Sequence, residues 1–262
     1  MQCYKNLIRE ILHRGEAKPE RTDHGMLYLF DAKIEFDLED QFPIVTIRKI
    51  DYVQAFGELA GFIQGVTTKS AFSALGCKYW NSTVGPDLAN PDSLGPIYGY
   101  QWRNWGVDQL INLVHELKTN PNSRRLILSF WNHEDLPKMA IPPCITQVQF
   151  DVDPRGYLHC IVTQRSADVM LGLPYDFIVF ATFVKLLAEE CGYEEGRLVF
   201  NLGNAHIYEN HIQKAIDLLD VEPFYPPQVR LEAGTRIQDF LPSSIIVSNY
   251  LSGPIVNFEL NL

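Results

Sequence analysis

No stretch of this sequence stays apolar for the roughly 18 residues that a membrane-crossing helix needs. Residues Met1 to Arg14 alternate charged and apolar side chains at helical spacing. They lack the unbroken apolar region and small-residue cleavage site of a secretory signal, so the expectation is a cytoplasmic protein. Positive charge is scarce: 22 Lys and Arg stand against 32 Asp and Glu, a net charge of -10. Basic residues cluster no further than pairs, which argues against a nucleic-acid surface. The five cysteines, Cys3, Cys77, Cys144, Cys160 and Cys191, form no C-x-x-C pair or Cys/His ladder, so a zinc site is not expected. Their odd number and scatter argue against a disulfide framework. With no linker, low-complexity tract or internal repeat, residues 1–262 read as a single domain.

What is present is a globular composition, 46% hydrophobic and 21% charged, enough for a large core. Tyr4 to Arg14 carries Leu7, Ile8, Ile11 and Leu12 on one helical stripe. Met26 to Leu38 alternates as one or two strands with a turn near Asp31-Ala32, and Ile44 to Ile47 is a short extended piece. Tyr52 to Gln64 is an apolar helix with a single acid, Glu58, among Phe56, Leu59, Phe62 and Ile63. Cys77 to Leu94 is a long polar loop, a type of segment that is usually functional or disordered in a compact domain. Val107 to Lys118 reads as a helix, Leu126 to Phe130 as a strand, and two alternating runs, Thr146 to Phe150 and Tyr157 to Gln164, as further strands. A long apolar helix follows Pro174 and ends at Gly192; then come a strand at Leu198 to Leu202, a helix at Tyr208 to Leu219, and short strands near Val229-Leu231 and Ser244-Val247. The fold class is α+β, helices packed on a mixed or antiparallel sheet.

The chemistry concentrates between Pro142 and Tyr208. Cys144 follows two prolines, so its backbone is restrained. Taken alone it reads most simply as a buried, inert cysteine. A nearby cation, from Arg21, Arg124, Arg125 or Arg165, would make it a nucleophile instead. Arginines also suit phosphate, and Ser166, His206 and Tyr208 are short-range hydrogen-bonding groups for a sugar and phosphate. Arg124 and Arg125 read equally as a solvated pair, since neighbours on a strand point oppositely. Asp176 lies near a helix start, where an acid has a plain capping role, and Glu58 is a functional candidate if it is buried. Together the residues suggest a nucleotide pocket with a thiolate in it.

The motifs run in a recognisable order: Arg21-Thr22, Phe42-Pro43-Ile44-Val45-Thr46, Glu58 with Phe62-Ile63-Gln64-Gly65, and Trp80. They continue with Leu94 to Arg103, Ser123-Arg124-Arg125, Pro143-Cys144, Gln164 to Asp168, Leu171-Gly172-Leu173-Pro174 and His206-Ile207-Tyr208. Over almost its whole length the chain resembles the thymidylate synthase family. The resemblance implies a homodimer whose sheets pack together, acting on a pyrimidine nucleoside monophosphate with 5,10-methylenetetrahydrofolate as co-substrate. It implies that Cys144 attacks C6 of the base and that Glu58 and Tyr98 serve the proton transfers. Arg21, Arg165 and Ser166 would hold the phosphate, with Arg124 and Arg125 donated by the partner subunit. His206 and Tyr208 would take the sugar hydroxyl. Asp168 would stand among the nucleotide-binding residues and bind the pterin, and Trp80 would line the folate site.

The departures bear on the substrate. The family reads uracil with an asparagine; here Asp176 stands in its place. An ionised aspartate only accepts hydrogen bonds and would repel uracil O4, whereas a protonated one donates to cytosine N3 and accepts from the exocyclic amine. Tyr175 and Phe177 supply apolar surroundings that raise a carboxyl pKa. The histidine that follows the family's nucleophile is Ile145 here, the family's second tryptophan is Thr83, and the tail Asn257 to Leu262 does not match the family's closing segment. The first departure points to cytosine and the other two to water entering the site. The expected reaction is C5 hydroxymethylation of deoxycytidylate, as in the phage-type deoxycytidylate hydroxymethylases. Methylation of deoxycytidylate or deoxyuridylate, and hydroxymethylation of the ribonucleotide, are the alternatives. Asn204 replaces an aspartate without an evident reason at this level. A cysteine hydrolase using Cys144 and His206 would leave the arginines and Asp176 unexplained. A non-catalytic nucleotide or RNA binder conflicts with the acidic charge and the intact nucleophile.

Overall fold

The computed structural model describes residues 1–19 and 25–261. Helix α1 (Gln2–Arg14) buries Tyr4, Leu7, Ile8 and Ile11, the stripe its spacing predicts. Strands β1 (Glu16–Lys18) and β2 (Met26–Asp37) pair antiparallel. Four helices follow: α2 (Tyr52–Gln64), α3 (Lys69–Ala74), α4 (Tyr98–Asn104) and α5 (Gln109–Thr119). Next come β3 (Ile127–Ser129), β4 (Ile145–Val152), β5 (Tyr157–Gln164), β6 (Ala167–Asp168), α6 (Leu173–Cys191), β7 (Glu194–Tyr208) and α7 (Ile212–Leu219). A two-stranded hairpin, β8 (Gln228–Leu231) with β9 (Ile245–Ser248), completes the described elements.

The main sheet runs β1-β2-β7-β5-β4-β3, with β6 beside β7. Its β5–β7 and β6–β7 pairs are parallel and the others antiparallel, so it is mixed. Along β5 the side chains of Leu158, Cys160, Val162 and Gln164 are all buried, the period-2 pattern of a half-buried strand. Helix α6 is apolar nearly all round and fills the centre. Its Phe177 meets Phe36 of β2 and Phe200 of β7 edge-on, and its Phe183 stacks on Trp102 of α4 at 4.9 Å. The helices thus cover one face of the sheet and carry the ends of β5, β6 and β7 to one place.

Four expectations from the sequence are corrected. β2 does not turn at Asp31: the residue adopts φ 66°, and pairing with β7 resumes at Ala32 and Leu202. Aspartate tolerates that left-handed conformation better than most residues. Residues 44–47 form no strand, though they are wholly buried. β7 extends well past Leu202, because β2 and β6 give hydrogen-bonding partners to Asn204, Ala205 and His206. Tyr208 is therefore the last residue of a strand and not the first of a helix; α7 begins only at Ile212.

Candidate active site

Cys144 sits where Pro142-Pro143 deliver the chain into β4. Its backbone N–H donates to the Tyr98 hydroxyl at 2.9 Å, and its carbonyl accepts from the Arg165 N–H at 2.8 Å. The Arg165 guanidinium donates to the carbonyls of Pro143 and Pro142, both at 2.9 Å, and lies over the Trp131 ring at 5.4 Å. The loop bearing the thiol is therefore clamped from both sides. Burial raises the thiol pKa, Arg165 draws it down, and Asp176 and Asp168 raise it again; the net shift is upward. The resting group is a thiol whose thiolate must be produced with help.

Tyr98 opens α4 and stacks on Phe62 of α2 at 4.9 Å. Burial holds its hydroxyl pKa well above the usual range, so it remains protonated while accepting from Cys144. Glu58 lies on α2, buried as the apolar neighbours suggest. Its Oε1 accepts from Trp80 Nε1 at 3.1 Å. Burial pushes its carboxyl up to about 8, the hydrogen bonds of Tyr79 and Trp80 oppose this, and the charge of Asp176 adds to it. Trp80 belongs to a single 3-10 turn, Tyr79–Ser82, and stacks on Phe72 at 5.5 Å. The long polar loop thus contains a buried aromatic anchor.

Asp176 lies in the first turn of α6, where its Oδ2 accepts from Gln164 Nε2 at 2.7 Å. Burial pushes the carboxyl up to about 7 against the effect of that hydrogen bond. Asp168, on β6, accepts at Oδ1 from the N–H groups of Met170 and Leu171 at 3.0 and 3.1 Å. Burial raises it to about 6, with those bonds and Arg48 opposing. His206 of β7 is in register with Asp168, and its ring meets Tyr208 edge-on at 5.0 Å. Ser166 is half-buried in the bend between β5 and β6.

The chain thus brings together Cys144, Tyr98, Glu58, Asp176, Asp168 and Arg165, close enough to act on one another's ionisation. Arg124 and Arg125 are not part of this cluster. They are exposed in the turn before β3, and among the described residues their side chains make no hydrogen bond or ion pair. Arg21 lies outside the described residues. A separate cavity of about 580 Å³, lined by residues that include Glu39, Phe42, Lys185 and Arg230, contains none of the cluster. Among the described residues no group of three His, Cys, Asp or Glu side chains is arranged to hold a metal ion. Likewise no described helix is long and apolar enough to cross a membrane.

Three residues of the site had no role assigned from sequence. Gln164 is 1% exposed and grips Asp176. Its signal was a polar residue in phase with the buried side of β5. Trp131 covers Arg165, and Tyr79 lies beside Glu58; neither position has a pattern that marks it.

A restrained thiol beside an arginine, ringed by carboxyls whose protons exchange near neutrality, defines a class: an enzyme that adds a nucleophile to its substrate and moves protons around the adduct. Compared with known protein families, residues 2–262 match thymidylate synthase. The chain belongs to the thymidylate synthase family, whose members transfer a one-carbon unit from methylenetetrahydrofolate to C5 of a pyrimidine nucleotide. It is a one-carbon transferase.

Proposed function

We propose that the protein hydroxymethylates C5 of deoxycytidylate, with 5,10-methylenetetrahydrofolate as donor and Cys144 as the nucleophile at C6. The observation that carries the choice of base is Asp176: partly buried, gripped by Gln164 and shifted to about 7, it has its protonated form available at neutral pH. That form donates to cytosine N3 and accepts from the exocyclic amine. Ile145, 2% exposed, offers no polar group on the O4 side of a uracil.

The residues divide the work. The Cys144 sulfur bonds to C6 while Asp176 neutralises N3. Folate, when bound, supplies the one-carbon unit that C5 takes up. Tyr98 assists loss of the C5 proton, and Glu58, with a proton that exchanges near neutrality, orders water and relays protons. Loss of the C5 proton lets tetrahydrofolate leave from the one-carbon unit; water then adds to the methylene left on C5, and departure of the Cys144 thiolate, with return of the N3 proton to Asp176, restores the C5–C6 double bond. The donor set suits a pterin: the Trp80 ring for a wall and the Asp168 carboxylate, one oxygen of which is already held by two N–H groups. Arg165 and Ser166, with Arg21, hold the phosphate, and His206 and Tyr208 receive the sugar. Arg124 and Arg125 complete the phosphate site from a second copy in a homodimer.

The hydroxymethyl outcome rests on Thr83, a small buried side chain where the family has a tryptophan. The tail does not add to it, because the tail is docked. The Asn257 carbonyl accepts from Lys214 at 2.8 Å, the Glu259 carbonyl lies 2.9 Å from His211 Nε2, and Phe258 covers Arg48 at 5.0 Å. A docked tail favours the second reading, methylation of deoxycytidylate. Incubation with deoxycytidylate and methylenetetrahydrofolate separates the two. A hydroxymethyl product with tetrahydrofolate released is expected; a methyl product with dihydrofolate would establish the second reading. Turnover of deoxyuridylate in preference would overturn the reading of Asp176.

A further inference from the structure

The segment Lys78-Tyr79-Trp80 is latched to α2 at both ends. The Lys78 N–H donates to Gln54 Oε1 at 2.9 Å, and one helical turn further on Trp80 Nε1 donates to Glu58 Oε1 at 3.1 Å. Tyr79 stands between them, its ring tilted against Tyr175 at 5.6 Å. Its hydroxyl oxygen is buried and meets no partner at full hydrogen-bonding geometry. It nevertheless lies close enough to two groups, the Glu58 carboxyl and the Cys77 thiol, to act on the ionisation of both. A buried hydroxyl left without an acceptor is costly, so its hydrogen is directed to one of the two. A carboxylate is a far better acceptor than a thiol sulfur. Burial holds the hydroxyl pKa well above its usual range, so Tyr79 keeps the hydrogen it donates. If a protonated Glu58 turned its own hydrogen toward the tyrosine oxygen, the tyrosine hydrogen would be left with sulfur alone. The ionised carboxyl is the form that two donors, Trp80 and Tyr79, together favour.

We propose that Tyr79 is a positioning residue that acts through Glu58: its hydroxyl joins the Trp80 indole as a second donor and holds the carboxyl ionised and oriented for proton transfer. The catalytic half rests on the proton-relay role of Glu58 in the proposed function. Glu58 takes a proton from water only as the carboxylate, and burial works against that form. The other groups that act with it are Asp176 on α6, whose charge opposes its ionisation, Tyr98 on α4, and Cys77 just before the Tyr79 turn. All three are common to the wild type and a Tyr79 variant, so the comparison isolates the hydroxyl. Its removal is expected to raise the Glu58 pKa from about 8 by roughly one unit.

The ionisation of Glu58 can be read through its neighbour. The indole N–H signal of Trp80, in nitrogen-15 NMR of the full-length protein, follows the carboxyl to which it donates. Trp80→Phe identifies that signal among the four tryptophans. A titration with its midpoint near pH 8 is expected in the wild type. It should be absent in Glu58→Gln and move up by roughly one unit in Tyr79→Phe. A signal that does not titrate, or a midpoint unmoved in Tyr79→Phe, would overturn the proposal; a midpoint moved down would make Tyr79 the acceptor and overturn it equally. None of these outcomes depends on the substrate. The companion measurement is the ratio of wild-type to Tyr79→Phe kcat/KM against pH, taken with whichever pyrimidine nucleotide turns over. The ratio is expected to be about tenfold at pH 7 and to narrow to about twofold at pH 9, as the carboxyl ionises in both proteins. A ratio constant with pH alongside the NMR shift would keep the hydrogen bond and overturn its catalytic role. Turnover of deoxyuridylate in preference would overturn the choice of base and leave the Tyr79 result standing.

Discussion

A carboxyl that must hold a proton at neutral pH needs a site poor in water and a partner that does not demand charge. Asp176 has both, in the first turn of α6 with Gln164 against it. Two consequences follow at this scale. First, Asp176→Asn exchanges a group suited to cytosine for one suited to uracil. The ratio of kcat/KM for deoxycytidylate over deoxyuridylate is expected to fall by roughly a hundredfold, since a mispaired buried hydrogen-bonding group costs about 2–3 kcal/mol. With the cytosine nucleotide, wild-type activity declines as pH rises above about 7, because the ionised Asp176 no longer donates to N3. A flat alkaline limb in the wild type would refute that role. Second, the same burial has a cost in stability. The folded-state pKa of Asp176 lies above its unfolded value, so the folded chain binds the extra proton between about pH 4 and 7. That contribution is fully present below the unfolded pKa and is lost as pH rises through about 7. Asp168 and Glu58 act in the same sense, with losses near 6 and 8. Asp176→Asn is therefore expected to gain stability relative to wild type between pH 5 and 8, by on the order of 2–4 kcal/mol at the upper end. Thermal unfolding at the two pH values reads the difference directly.

At the scale of elements, the site depends on how closely α2 and α4 approach. A side chain at Gly99 would meet the Phe62 carbonyl oxygen at 2.4 Å and its Cα at 2.5 Å, both of them backbone. Gly99→Ala must push α4 away from α2 and carry Tyr98 off Cys144. A loss of about 2–3 kcal/mol is expected from the overpacking, together with slower alkylation of Cys144. Unchanged alkylation in a folded variant would disconnect the two helices from the thiol. This crossing also shows what was legible in the sequence. The bounds of α2 and β5 could be read closely, because apolar spacing of 3.6 or 2 runs through them. α4 could not: its seven residues include a glycine that weakens helical propensity and is tolerated only through the long-range contact with α2. The end of β7 was hidden for a related reason. Gly203-Asn204-Ala205-His206 lacks the apolar alternation of a strand and is held there by β2 and β6. Cys144, Glu58, Tyr98 and Arg165 stand in motifs of the sequence, but the grip of Gln164 on Asp176 arises only where β5 meets α6.

At the scale of the molecule, the sheet has one face covered by α6 and another that is not. The outward face exposes Lys33, Asp37 and Asn201 with Ile161, and Glu35 lies between Lys33 at 3.0 Å and Arg197 at 3.3 Å. Arg124 and Arg125 are exposed to solvent, and neither acts on the ionisation of Cys144 in its own chain. Both facts are accounted for if a second copy covers the open face and each copy lends its arginines to the other's site. The mass in solution is then expected to be about twice the 30.0 kDa of one chain. A sharper test uses two inactive variants, Cys144→Ser and the double variant Arg124→Ala with Arg125→Ala. In a mixed dimer, the subunit that retains Cys144 receives intact arginines from its partner, while the other site lacks both. Unfolding and refolding the two variants together should restore roughly a quarter of wild-type activity, because about half of randomly reassorted dimers are mixed and each has one complete site. Recovery near that level, absent when either variant is refolded alone, requires a shared site. Dimers by light scattering with no recovered activity would mean that Arg124 and Arg125 serve their own chain or none, and the phosphate would then depend on Arg165, Ser166 and Arg21.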